Sequence, residues 1–257
     1  MKQDILKEIR FGLRNSRVLI LFIGFLFFAV LTPVMMKVIM PQILKSQFPG
    51  MTEQTISEMV EMTQTGCIRS YMGDVFEIGS IIVAFTLCGL MAQEIKDNTL
   101  VLPLCAGRQF GGIVGAKMLV FGTVLVLAPV LSLIINYVYS GLLFAFDIGI
   151  GPIIQGGLLQ GVYMVFLLAC LIMWGTIIKK PIAAGFVSLV TVFGLHFAGS
   201  AFSASAYLPS GLLDEAQQLA VIPSASLIQT ICITVGIIIL FAAVTVLRLK
   251  HMEWNER

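Results

Sequence analysis

Within the long apolar stretches of this sequence, three polar side chains are the candidates for chemistry. Glu77 stands nearly one helical turn beyond Asp74 and could meet a cationic substrate or a partner in the adjoining outer link; a carboxylate at headgroup depth is the plainer reading. Asn136 carries an amide able to bond a neighbouring helix inside the bilayer. His196 has no Cys, Asp or second His nearby, so it makes a poor metal-ligand set and is expected to pack with a hydrogen bond. Together the three outline a possible substrate path. Lys37, just past the first apolar run, is expected to snorkel to the outer headgroups.

Other chemistries lack their residues. The five cysteines are widely spaced with no CxxC pair, which argues against a zinc site or a disulfide framework. No GxxxxGK[ST] loop occurs, so the chain cannot cradle nucleotide phosphates by that route. Ser200 follows His196 closely, but no GxSx turn lies in an apolar run, as a rhomboid-like protease would require. The later apolar runs contain no acidic residue, which disfavours a secondary carrier or channel built on midplane carboxylates. No catalytic residue and no bound cofactor is expected.

The elements that would position these side chains are apolar and long. Of 257 residues, 58% are hydrophobic and 12% charged, against about 25% charged in soluble domains. Six runs are long enough to cross a bilayer: 18–40, 75–93, 118–140, 152–178, 181–199 and 226–247. In hydrocarbon every backbone polar group needs an internal partner, so each should be a helix. An outer-membrane barrel would alternate over ten-residue segments, and these runs do not. Pro33 and Pro129 should kink the first and third spans. The small-residue spacings Gly107, Gly111, Gly115 and Gly157, Gly161 permit close helix packing. Seventeen mixed-charge residues precede the first span with no small-residue cleavage site after it, so that span should be retained.

Cations fix the expected orientation. Thirteen of the 16 Lys and Arg residues fall in 1–17, 94–117, the 179–180 link and the 248–257 tail; Lys37, Lys45 and Arg69 fall on the other side. The positive-inside rule therefore places both termini in the cytoplasm. Residues 1–17 form an amphipathic helix, with Ile5, Leu6, Ile9 and Leu13 on one face and Lys7, Arg10, Arg14 and Arg17 along its flank, suited to an anionic headgroup layer. The outer loop 41–74 should hold a short helix over Thr52–Gln64, opened by Thr55 and Glu58 as a capping box. The outer loop 200–225 is apolar but interrupted, as in re-entrant helices.

The cytoplasmic segment 94–117, EIKDNTLVLPLCAGRQFGGIVGAK, is amphipathic and of mixed charge, fit for a short helix that docks in a partner's groove. Glu94, Thr99-Leu100, Pro103, Arg108 and Gly115-x-Lys117 resemble the pattern between the second and third spans of the type-2 ABC transporter permease family. The amphipathic first helix, the six-span plan and the apolar loop before the last span extend the resemblance over nearly the whole chain. Two features depart from the family: Asn98 stands where Gly is usual, and the Pro-to-Arg turn is spread over Pro103–Arg108.

The resemblance implies an all-α permease in a bacterial cell membrane, paired with a second permease copy or relative. Two separate ATP-binding subunits would hold the ATP and Mg, and would move a hydrophobic or amphipathic compound, in the direction of export. Glu94, Thr99, Leu100, Pro103, Arg108 and Lys117 would couple the chain to those subunits. A non-transporting immunity or assembly subunit stays open beside that reading.

Overall fold

The computed structural model of the chain describes residues 2–47, 62–202, 207–219 and 225–252. Among these residues there are helices and no strand. Helix α1 is Lys2–Arg14. Helix α2 runs Arg17–Val34, passes through a π-helical turn at Met35–Ile39 and continues over Met40–Gln47. Helix α3 covers Gln64–Lys96, with a second π turn at Val75–Gly79. The short α4 is Val101–Cys105. The remaining elements are α5 (Phe110–Phe144), α6 (Ile150–Ile178), α7 (Pro181–Ala201), α8 (Gly211–Gln218) and α9 (Ala225–Lys250). Six of these, α2, α3, α5, α6, α7 and α9, are long and apolar enough to cross a membrane.

Two spans begin well before the residue that apolar run length suggested. Span two was expected to start at residue 75, but α3 begins at Gln64. The Thr63 hydroxyl caps it by accepting the Gly66 N–H at 3.0 Å, and Ile68, Tyr71 and Met72 bury their side chains in the core. Polar Gln64, Arg69 and Asp74 had masked this extension. Span three starts at Phe110 rather than 118, so most of the glycine-rich part of segment 94–117 is helical. The capping box expected at Thr55 and Glu58 lies outside the described residues.

Helix α6 occupies the centre of the bundle and packs on α3, α5, α7, α8 and α9. Its seam with α5 is closed by glycines: a Cβ on Gly161 would stand 2.8 Å from the Val126 Cα, and one on Gly157 would stand 3.0 Å from the Val130 Cα. Polar side chains bind the helices where no water competes. Tyr71 donates to Ser132 Oγ at 2.7 Å, Gln160 to the Met72 carbonyl at 2.9 Å, and Thr32 to Asp74 at 2.8 Å. The two interior prolines behave differently. Pro33 of α2 withdraws the N–H that would bond the Ala29 carbonyl, and Asn136 of α5 donates to that carbonyl instead at 2.9 Å, whereas α5 runs through Pro129 as uninterrupted α-helix.

In the loop expected to be re-entrant, α8 packs on α6 and α9 with Leu212, Leu213 and Ala216 buried. It is joined to α3 by the Arg69 Nε bond to the Gln217 carbonyl at 3.2 Å.

Candidate partner-docking site

Three helices converge where α5 begins, at what we term the basal end. Lys117, two turns into α5, is fully buried. Its Nζ lies 3.0 Å from Glu8 Oε1 on α1 and 3.1 Å from Glu94 Oε2 on α3. Lys7 reaches the other Glu94 oxygen at 3.3 Å. One ammonium thus ties α1, α3 and α5 together, in surroundings where an unpaired charge would cost several kcal/mol, of order 3–5. Glycine lets α1 approach: a Cβ on Gly12 would come 3.1 Å from Val18 and 3.3 Å from the Phe121 ring.

The amphipathicity of α1 is as expected, with Leu6, Ile9 and Leu13 exposed on the apolar side, but Glu8 and Gly12 face inward. The four basic residues separate. Arg10 and Arg14 are exposed, Lys7 joins the ion network, and the Arg17 guanidinium sits 4.7 Å over the Phe11 ring. Glu8 Oε2 and Arg17 Nη1 are buried and make no hydrogen bond.

The link from α3 to α5 is built on this base. Asn98 adopts φ 54°, in the left-handed region that Asn tolerates better than most residues. The turn lets the Thr99 N–H and hydroxyl both donate to the Glu94 carbonyl, at 3.0 and 3.3 Å. Leu100 is fully buried and anchors the start of α4. Past it the chain turns outward: Leu102 is 80% exposed, Cys105 is exposed and Pro103 is half-buried. Gly107, at φ 77°, then returns the chain toward α5. Arg108 does not face outward. It pairs with Asp4 at 2.6 Å and bonds the Gln3 amide, pinning the turn to α1.

Of the six residues expected to meet a partner, Glu94 and Lys117 instead form the interior lock and Leu100 is an anchor. Thr99 and Arg108 brace the turn, and Pro103 stiffens α4. The surface on offer is Leu102 with Cys105, which the residue pattern did not single out. Glu8 was missed as well, because an acid in a basic helix reads as flank rather than as the partner of a lysine 109 positions away. An apolar side chain on a braced, protruding turn is the type of knob that fills a partner's groove.

The three substrate-path candidates are not brought together. Asn136 is fully buried and donates to the Ala29 carbonyl of α2 at 2.9 Å, so it fastens two spans. Glu77 is exposed on the π turn of α3, about 29 Å along the helix from Lys96 at 1.5 Å per residue. That distance is close to the thickness of a hydrocarbon core, about 30 Å. His196 lies 4.6 Å from the Phe76 ring, but its Nδ1 makes no hydrogen bond. Its packing partner is aromatic rather than polar. Among the described residues no group of three His, Cys, Asp or Glu side chains could hold a metal.

Lys37, also on a π turn, donates to the Leu143 carbonyl at 2.6 Å, tying α2 to the far end of α5. Comparison with known proteins returns no match to any family, curated protein or solved structure.

Proposed function

We propose that the chain is the membrane permease subunit of an ABC transporter, and that the α4 turn receives a separate ATP-binding subunit. The observation that carries this reading is Leu102, 80% exposed on a five-residue helix whose base is locked to α1, α3 and α5 through Lys117. A push on that knob moves three helices as one body, as a rigid-body switch between two packings requires. The cationic count puts this end in the cytoplasm, with both termini, where an ATPase can reach it. Asn98 in left-handed backbone performs the turn for which the family pattern uses Gly.

In this reading the ATP and Mg sit in the partner, a second permease copy or relative completes the translocation path, and a hydrophobic or amphipathic substrate is exported across a bacterial cell membrane. The test is affinity purification in mild detergent. A subunit with nucleotide-dependent ATPase activity co-elutes with the wild type and is lost from Leu102→Asp, which leaves the melting temperature unchanged. Transport that persists undiminished after deletion of residues 96–108 overturns the assignment.

A further inference from the structure

The seam between α5 and α9 does not close at its basal half. A groove of about 610 Å³ runs there between Gly111, Gly115 and Met118 on α5 and Ile239, Ala242 and Val246 on α9. A Cβ added at Gly111 or Gly115 would meet nothing within 4 Å. Protein interiors seldom keep gaps of this size, so the groove faces a medium that fills it. Its α9 wall runs from Ile238 to Leu247, about 13 Å at 1.5 Å per residue. That is close to half of a 30 Å hydrocarbon core, the depth of one leaflet.

The rim supplies the second observation. Arg248 and Lys250 are exposed at the end of α9, and Lys250 continues the helical stripe of Val246 and Leu247 that lines the groove. Neither 110–118 nor 238–252 contains an acidic residue. On the other wall α5 opens at Gln109 without a side-chain cap, leaving the positive end of a 35-residue helix beside the same rim. An apolar slot one leaflet deep beneath two exposed basic side chains matches an anionic amphiphile. A second copy docked here about a two-fold axis would set Arg248 and Lys250 against their own equivalents.

We propose that this groove is a binding site for an anionic phospholipid, with one acyl chain against Gly111 and Gly115 and the phosphate at Lys250 and Arg248. The site is independent of the α4 knob and stands or falls apart from the transporter assignment. Two basic side chains at the headgroup should favour the anionic lipid by about five-fold or more.

The test is native mass spectrometry of the full chain in mild detergent with an equimolar mixture of phosphatidylglycerol and phosphatidylcholine bearing the same acyl chains. The wild type is expected to retain phosphatidylglycerol at least about five-fold over phosphatidylcholine. Arg248→Gln with Lys250→Gln abolishes the preference while a lipid is still retained. Gly115→Leu fills the slot and removes the retained lipid of either kind, with the melting temperature within a few degrees of wild type. Three outcomes overturn the proposal: equal retention of the two lipids by the wild type, retention in Gly115→Leu equal to wild type, or efficient Ala242→Cys disulfide dimerisation in lipid, which would give the groove to a second copy.

Discussion

The two long sides of α5 show how little a spacing motif decides by itself. Toward α6 the chain offers Gly157 and Gly161, and the helices close until backbone nearly touches backbone. Toward α9 it offers Gly111 and Gly115 at the same four-residue interval, and the helices stand apart over a groove. The partners differ in kind. α6 is 72% buried over its most apolar window and meets neighbours on all sides, while α9 is 17% buried and lies at the rim. Glycines permit close approach only where other contacts already force it. On the α6 side both helices are fastened to α3, through Ser132 and Gln160; on the α9 side lipid can take the place of protein.

The largest expected effect comes from the ionic anchor at the basal end of α5. Lys117→Met leaves the Glu8 and Glu94 carboxylates facing each other in a buried pocket, with Lys7 in contact with both, at 3.9 and 3.3 Å. Losing one partner of a buried ion pair typically costs about 3–5 kcal/mol. The apparent melting temperature in detergent should fall steeply, and adding Glu8→Gln should restore part of it, because the two changes act in one network. An unchanged melt in Lys117→Met would mean that α1 and α3 hold α5 without the ammonium.

A smaller loss tests the closed seam directly. Gly161→Ala places a methyl 2.8 Å from the Val126 Cα. Backbone cannot yield as a flexible side chain can, so α5 and α6 must part. Overpacking of this kind costs about 1–3 kcal/mol. Thermal unfolding of the single variant measures it, and a melt equal to wild type would show that the seam is looser than the interatomic distances imply.

Much of the architecture was readable from residue order because apolar run length is a local property. The six spans follow from it, and the amphipathic α1 follows from helical spacing, which is equally local. The polar starts of α3 and α5 did not, since Gln64, Arg69 and Lys117 break an apolar window and are tolerated only through partners far along the chain. Gln64 bonds the Tyr137 carbonyl and Lys117 bonds Glu8, across 73 and 109 positions. The α4 turn shows the same division. Its position between spans two and three was legible, but its exposed residue was not. Leu100 and Leu102 are the same residue type two positions apart, and only tertiary packing buries one and presents the other. His196 was read as needing a polar partner, because the approach of Phe76 from another span leaves no local trace.

The smallest expected effect carries the opposite sign. Gly115→Ala repeats the substitution made at Gly161, but here the new Cβ meets nothing within 4 Å. Gly115 is an interior helical residue of α5 that shows no positive φ. With no clash to offset it, alanine restricts the unfolded chain and improves helix propensity, a gain of about 0.5–1 kcal/mol. The same methyl should therefore stabilise one side of α5 and destabilise the other. Thermal unfolding of Gly115→Ala beside Gly161→Ala in one detergent decides it: a loss at both positions would mean that α9 closes on α5 in the membrane, and that the groove is not a lasting feature of the fold.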